Sequence, residues 1–473
     1  MVSESKKVAV IGGGITGLTA AYYLQKAAQE KKLPLEVTLI ESSPRLGGKI
    51  QTIRKDGFVI ERGPDSYLAR KKSATRLAEN VGIADQLVSN ATGQSYVLVN
   101  ERLYPIPGGS VMGIPTQVFP FVVTGLFSFT GKLRAAFDFL LPRSKPQKDQ
   151  ALGPFLRRRF GDEVVENLVE PLLSGIYAGD IDQMSLMATF PQFYTIEQKY
   201  RSLILGMKKT TPNSSQKPAV GQKKGGFLTF RHGLETLVEA VESQLIKSSV
   251  LKGTRVVKIE KEEDQYRLLL HNGEALRTDS VVLATPHGVV PDMLPQYDFY
   301  SPLKDMKSTS VATIAMAFPS EAIEQDIDGT GFVVSRNSDF TITACTWTHK
   351  KWPHTTPKGK VLLRCYVGRA GDETVVDLSD SELEKIVLED LNKTMNISMK
   401  PDFTIVTRWK NAMPQYAVGH IERMEKIKQS TQKELPGLFL AGSSYEGLGV
   451  PDCIDQGEEA VEKVLAFLGM NGK

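Results

Sequence analysis

The stretch VAVIGGGITGLTAAYYL opens the chain as a strand, a glycine-rich turn and a helix, and an acidic residue, Glu41, closes the next apolar run, EVTLIE. That order commits the chain to an α/β fold with a nucleotide site at its start. Gly12 permits the tight turn, Gly14 lets backbone approach a pyrophosphate, and Gly17 lets helix pack on strand. Gly13, Ile15 and Thr16 complete the loop, whose N–H groups and helix dipole face the phosphates. Glu41 stands where its carboxylate accepts from both ribose hydroxyls.

The residues after Glu41 decide which dinucleotide: Ser42, Ser43, Pro44, Arg45, Leu46, Gly47, Gly48 and Lys49. Their spacing resembles the flavin motif E-x-x-x-R-x-G-G-[RK] of the glutathione-reductase-like flavoproteins, a group that includes the amine oxidases. The likeness implies FAD, with Ser42 and Lys49 among its contacts, Arg45 near the pyrophosphate and Gly48 giving a backbone contact.

At 473 residues the chain exceeds one ordinary core, and its 41% hydrophobic and 24% charged residues are those of a water-soluble protein. A net charge of +4 is too mild to argue for nucleic acid. Cys345, Cys365 and Cys453 form neither a CxxC pair nor a metal cluster, and no metal is expected. MVSESKK leads directly into the first strand, so secretion is not expected and the chain reads as cytoplasmic. From Leu103 to Gly131 no residue is charged, but four prolines interrupt the run, and no bilayer span is read there. A buried helical core is the expectation for it. An apolar cavity wall or a peripheral contact with the inner face of the cell membrane stays open.

Flavin-type features recur in three places, which predicts a discontinuous Rossmann-like FAD domain of glutathione-reductase type over residues 1–68, 225–286 and 405–473. Its second segment holds an amphipathic helix with Leu234, Leu237, Val238 and Val241 on one face, and a hairpin at Asn272 and Gly273. A helical subdomain spans 75–207, with Arg157, Arg158 and Arg159 as a solvated helix face or an anion site. Residues 207–224 read as a mobile linker. An antiparallel-sheet substrate domain spans 287–404. At the C-terminus, Gly442 and then Gly449, Val450 and Pro451 read as a strand, a loop and a helix start aimed at the flavin N1 and C2 carbonyl. Many flavoproteins with this motif have Gly-Asp where Gly442-Ser443 stands here.

Three further stretches, IERGPDSYL at 60–68, SGIYAGD at 174–180 and RWKNAMPQYAVGH at 408–420, closely resemble the porphyrinogen oxidases of haem biosynthesis, in particular those of Gram-positive bacteria. The resemblance spans residues 8–457. It implies an FAD-dependent, oxygen-consuming, six-electron oxidation of a porphyrinogen to a porphyrin with release of hydrogen peroxide. Coproporphyrinogen III is the implied substrate, and protoporphyrinogen IX the alternative. Transient contact with other haem-biosynthesis enzymes is an expected partnership. By motif, Gly63, Pro64, Asp65, Ser66, Val256 and Trp409 join the FAD contacts, and Gly175 falls where backbone approaches the macrocycle.

A large apolar ring with carboxylate arms needs an apolar slot rimmed by cations. Arg70, Lys71, Lys72, Arg336 and Arg364 are the candidates. No conspicuous buried histidine offers itself for the pyrrole protons, and His420 reads equally as structural. Tyr366, on a strand of the substrate sheet, is the candidate proton relay. An amine oxidase, a carotene desaturase or a flavin-free module binding prenylated GTPases would share parts of the framework.

Overall fold

Val8 and Val10 point to one side of the first strand, Lys6–Ile11, while Ala9 and Ile11 point to the other, and both sides are buried. This is the pattern of a central strand covered on two faces. The computed structural model describes residues 5–210, 226–324 and 327–470. It divides into two units, the first comprising residues 1–89, 226–306 and 422–473, the second 90–225 and 307–421.

In the first unit five parallel strands run in the order Val250–Leu251, Leu35–Ile40, Lys6–Ile11, Ser280–Leu283, Leu438–Leu440. Helices Ile15–Glu30, Glu235–Gln244 and Val450–Phe467 cover one face through Leu18, Leu24, Leu237, Val241, Ile454 and Val464. A three-stranded antiparallel sheet, Val256–Glu262, Gln265–Leu270 and Ala275–Thr278, supplies Val256, Ile259 and Leu268 to the other face. The side chain of Val256 is therefore core. The tip at Gly273 takes φ +87°, as its hairpin turn requires.

The second unit is built on a seven-stranded sheet in the order Phe403–Pro414, Ser308–Pro319, Lys360–Val367, Ile342–Trp347, Gly331–Val334, Tyr96–Val99, Arg102–Pro105. All neighbours are antiparallel except Gly331–Val334 and Tyr96–Val99. Two assignments change here. Strands Tyr96–Val99 and Arg102–Pro105 belong to this sheet and not to a helical stretch, and Phe403–Pro414, which carries Trp409, is its edge strand. One face packs Ile314, Met316, Leu363 and Cys365 against Leu383, Val387 and Leu391 of helix Asp380–Met395.

The uncharged run does not form a buried helical core. After the short hairpin Ser110–Val111/Ile114–Pro115 it gives helix Val118–Val123, in which Phe121 is buried while Val118, Phe119, Val122 and Val123 face outward. Phe119 is 75% exposed, and Phe129, opening the next helix, Phe129–Ala136, is 80% exposed. No described helix is long and apolar enough to cross a membrane. Arg159 also departs from a solvated face: it is fully buried in helix Leu152–Phe160 and paired with Asp138 and Glu197. Of the expected linker, Met207–Thr210 ends helix Leu203–Thr210, and residues from 211 onward lie outside the described residues.

Candidate active site

In the glycine turn each glycine has its own reason. Gly12 has φ +107°, and a Cβ there would stand 2.5 Å from the carbonyl oxygen of Ala284. On Gly17 it would fall on the carbonyl oxygen of Gly12, and on Gly13 it would meet Leu46 and Glu41. Gly14 differs, because among the described residues no atom beyond its chain neighbours lies within 4 Å of where its Cβ would be. Helix Ile15–Glu30 begins there with Gly14 as N-cap and no side chain capping it. Its first N–H groups are left for a ligand or water.

Glu41 holds this turn from below. Its Oε2 accepts from Gly13 N at 2.6 Å, and its Oε1 accepts from Ser43 N at 2.7 Å and Ser42 Oγ at 3.2 Å. A second loop closes over the first, with Gly47 N donating to Gly13 O at 2.8 Å. Gly47 and Gly48 take φ +99° and +56° to make that approach. Arg45 clasps the loop, donating through Nη1 to Leu46 O at 2.7 Å and Ile50 O at 3.1 Å and through Nη2 to Gly48 O, and pairing with Glu235 at 3.5 Å. Lys49 projects beside this loop, and burial holds its ammonium below the usual lysine pKa.

The C-terminal segment completes the wall. Gly442, at φ +123°, donates to Gln456 Oε1 at 2.9 Å, and beyond its Cα only Thr16 Oγ1 comes within 4 Å. Helix Val450–Phe467 starts at Gly449, whose N–H donates to Asp452 Oδ2 at 3.1 Å, with Pro451 in its first turn. His287, four residues past strand Ser280–Leu283, is buried, although no buried histidine was conspicuous in the sequence. Its Nδ1 lies 3.1 Å from Ser444 Oγ and its Nε2 2.9 Å from Met306 O. Burial depresses its pKa, and the charge of Lys49 adds to the effect. Two residues before it, Thr285 Oγ1 is a buried hydroxyl with no hydrogen-bond partner among the described residues.

Gly63, Pro64, Asp65 and Ser66 form the half-buried turn before strand Tyr67–Leu68, closed by a 2.8 Å bond from Ser66 Oγ to Asp65 Oδ1. Of the cations that follow, Arg70 is exposed, and Lys71 pairs with Asp452 at the start of the C-terminal helix. Lys71 is thus committed to a carboxylate within its own unit.

In the second unit, residues alternate along strand Lys360–Val367. Leu363, Cys365 and Val367 enter the core, and Arg364 and Tyr366 share the opposite face with Thr313, Ala315, Ala344 and Thr346. Arg364 is 3% exposed, and its guanidinium lies 5.0 Å from the Tyr366 ring centre. Tyr366 Oη is 3.4 Å from Thr346 Oγ1. Trp409 pairs with Val311 on the neighbouring strands. The preceding helical run widens to a π turn at Val165–Val169 and continues as helix Glu170–Tyr177, which leaves Gly175 exposed with open space beside its Cα. π turns of this kind often mark functional sites. Arg336 reaches the same helix, with Nε 3.3 Å from the buried Glu170. His420 is buried and stacks on Tyr416 at 4.1 Å, which gives it a packing role.

Sequence reading missed His287, Thr285, Glu170 and Arg369. The first two follow a buried strand end at TPH, where a chain leaving a parallel sheet borders the ligand crevice. Glu170 is an acid within the apolar run VENLVEPLL, and Arg369 lies in the turn VGRAGDE.

The first unit fits a dinucleotide on its own geometry: an open position at Gly14, an uncapped helix start, an orphaned hydroxyl at Thr285 and the open side of Gly442. The family model for flavin containing amine oxidoreductases matches residues 15–465. Coproporphyrinogen III oxidase of Bacillus subtilis (strain 168) is 58% identical over 99% of this chain and 100% of its own length. Its Staphylococcus aureus (strain NCTC 8325 / PS 47) counterpart is 47% identical, covering 98% of this chain and all of that protein. A crystal structure from Exiguobacterium sp. 255-15, bearing the name protoporphyrinogen oxidase, superposes with a TM-score of 0.87 at 41% identity, covering 98% of this chain and 99% of the other.

Proposed function

The chain belongs to the flavin containing amine oxidoreductase family, and on that premise we propose that it is an FAD-dependent oxidase that converts coproporphyrinogen III to coproporphyrin III in haem biosynthesis. The observation that carries this reading is the 58% identity to a coproporphyrinogen III oxidase across both full lengths. Protoporphyrinogen IX is a secondary substrate in this reading. The parallel sheet with helices on one face and a small antiparallel sheet on the other supports a glutathione-reductase-type FAD domain in the first unit.

FAD, when bound, supplies a two-electron acceptor that molecular oxygen reoxidises with release of hydrogen peroxide. The residues of the chain bind and orient. Backbone N–H groups from Gly14 to Gly17 take the pyrophosphate, helped by the helix dipole. Glu41, already fixed by Gly13 and Ser43, keeps lone pairs for the ribose hydroxyls. Gly48, Lys49 and the turn Gly63–Ser66 line the same cradle. The start of helix Val450–Phe467 would offer N–H groups and its dipole to the electron-accepting end of the flavin.

Each of three oxidations removes a hydride from a bridging carbon and a proton; since a porphyrin keeps one hydrogen on each of four bridging carbons and two on nitrogen, two of the protons leave pyrrole nitrogens and the third leaves the fourth bridging carbon. Thr313, Ala315 and Ala344 are the small neighbours of Arg364 and Tyr366 on that face of the sheet. Gly175 presents backbone to the macrocycle. Arg364, clamped on Tyr366, holds the phenol in position, and Tyr366 Oη relays the proton with Thr346 as its hydrogen-bond partner.

The outward-facing Phe119, Val122, Val123 and Phe129 support a peripheral contact with a membrane surface. Incubating the flavin-loaded protein with coproporphyrinogen III and, separately, with a polyamine tests the function. Porphyrin fluorescence with the first and no peroxide from the second is the expected result. Peroxide from the polyamine alone would make the chain an amine oxidase instead.

A further inference from the structure

Strand Lys360–Val367 ends at Gly368, whose φ of +88° turns the chain so that Arg369 lies against helix Glu170–Tyr177. The turn is tied down by Ala370 N donating to Ala178 O at 2.9 Å, one residue past the helix end. Arg336 arrives from just past strand Gly331–Val334, two places along the sheet. Its Nε stands 3.3 Å from Glu170, and its Nη2 donates to Ala370 O at 3.3 Å. Arg336 thus contacts the buried carboxylate, and Arg369 lies close enough to feel the charges of both.

The other acids nearby do not complete the balance. Asp372 stands 3.8 Å from Arg369 Nε and is half-exposed, and Glu166 is held by Asn337 Nδ2 at 2.8 Å. The side chain of Arg369 is only 19% exposed, yet among the described residues no acceptor lies within hydrogen-bond distance of its guanidinium. Five donors in a rigid fork are thus left open in a partly desolvated place. Burial and the neighbouring charge of Arg336 pull its pKa below the usual guanidinium value, an effect that a further anion would relieve.

We propose that Arg336 and Arg369 form a subsite for one carboxylate arm of the porphyrinogen, with Glu170 orienting Arg336. The inference rests on the substrate reading above. Glu170 and Gly175 share one helix, and five residues at about 1.5 Å per residue put them roughly 7 to 8 Å apart along its axis. A planar carboxylate matches the guanidinium fork, and the open donors of Arg369 make it the main contact.

The test uses flavin-loaded protein and two probes, coproporphyrin III and its tetramethyl ester in mild detergent, with binding followed by porphyrin fluorescence. Arg369→Gln is expected to weaken the free acid about tenfold or more, as for loss of a charge-assisted hydrogen bond, and to change the ester little. KM for coproporphyrinogen III should rise with kcat nearly unchanged, and flavin content should match the parent. Arg336→Gln should act in the same direction, and Arg369→Gln carries the test if that variant fails to fold. Equal weakening of acid and ester, or no weakening of either, would overturn the subsite. A parent protein that oxidises no porphyrinogen would instead overturn the functional reading beneath it.

Discussion

Ser444 Oγ accepts the backbone N–H of His287 at 3.1 Å and stands equally close to its Nδ1, which joins the end of strand Ser280–Leu283 to the loop that precedes Gly449. With Met306 O as acceptor, the Nε2 of His287 carries the proton, and Nδ1 accepts from the Ser444 hydroxyl. A neutral imidazole therefore fixes the loop that precedes Gly449.

Because burial lowers the folded-state pKa of His287, the unfolded chain binds that proton more readily. The contribution of His287 is complete above the unfolded value of about 6.5 and is lost as pH falls from there toward the folded value. Melting curves followed by flavin release should show the parent losing more stability between about pH 7.5 and about pH 5.5 than His287→Gln does. The variant should also release flavin more easily at neutral pH. Equal pH slopes would contradict this role.

Gly14 and Gly17 separate cofactor binding from folding. A Cβ at Gly14 meets no protein atom, so Gly14→Glu should fold and yet be purified without flavin, its carboxylate occupying the place of the pyrophosphate. Gly17→Ala drives a methyl onto the carbonyl of Gly12 and should lower the stability of the flavin-free protein by roughly 1–3 kcal/mol. Absorbance of bound flavin and thermal melts of the apoprotein read the two effects apart. A yellow Gly14→Glu protein would contradict the site.

Arg159 neutralises Asp138 and Glu197 in the helical part of the second unit, where Ser202 Oγ, Ile204 N and Ser144 N also bind the carboxylates. Arg159→Leu leaves the buried Asp138 without its cation and Glu197 with only Arg158, whose Nη1 stands 3.5 Å away, and should cost about 3–5 kcal/mol of stability in denaturant titrations. A loss below about 1 kcal/mol would mean the acids are held by their hydroxyl and amide partners alone.

For the exposed apolar helices, Phe119→Ser with Phe129→Ser should abolish sedimentation with phospholipid vesicles while leaving turnover in solution unchanged. Unaltered sedimentation would place the membrane contact elsewhere.

The geometry of the glycine turn and of the loop over it was legible because its constraints are local. Turn geometry and short spacings decide Gly12, Gly14, Gly17, Glu41 and Gly48, and the alternation of VLLRCYVG set Arg364 and Tyr366 on one face of a strand. Long-range pairing was not legible. Arg159 looked like part of a solvated cluster because its partners lie 21 and 38 positions away. Trp409 was assigned with the C-terminal flavin segment, yet its strand pairs with Ser308–Pro319, about a hundred residues earlier and through a register shift. The run from Leu103 to Gly131 misled because absence of charge does not say which side of a helix meets water.

The most direct test of the account is kcat/KM of the flavin-loaded enzyme for coproporphyrinogen III against protoporphyrinogen IX under air, with oxygen uptake followed alongside. Faster turnover of coproporphyrinogen III, with three oxygen molecules consumed per porphyrin formed, is the predicted result. No porphyrin from coproporphyrinogen III, or preferred use of protoporphyrinogen IX, would contradict it.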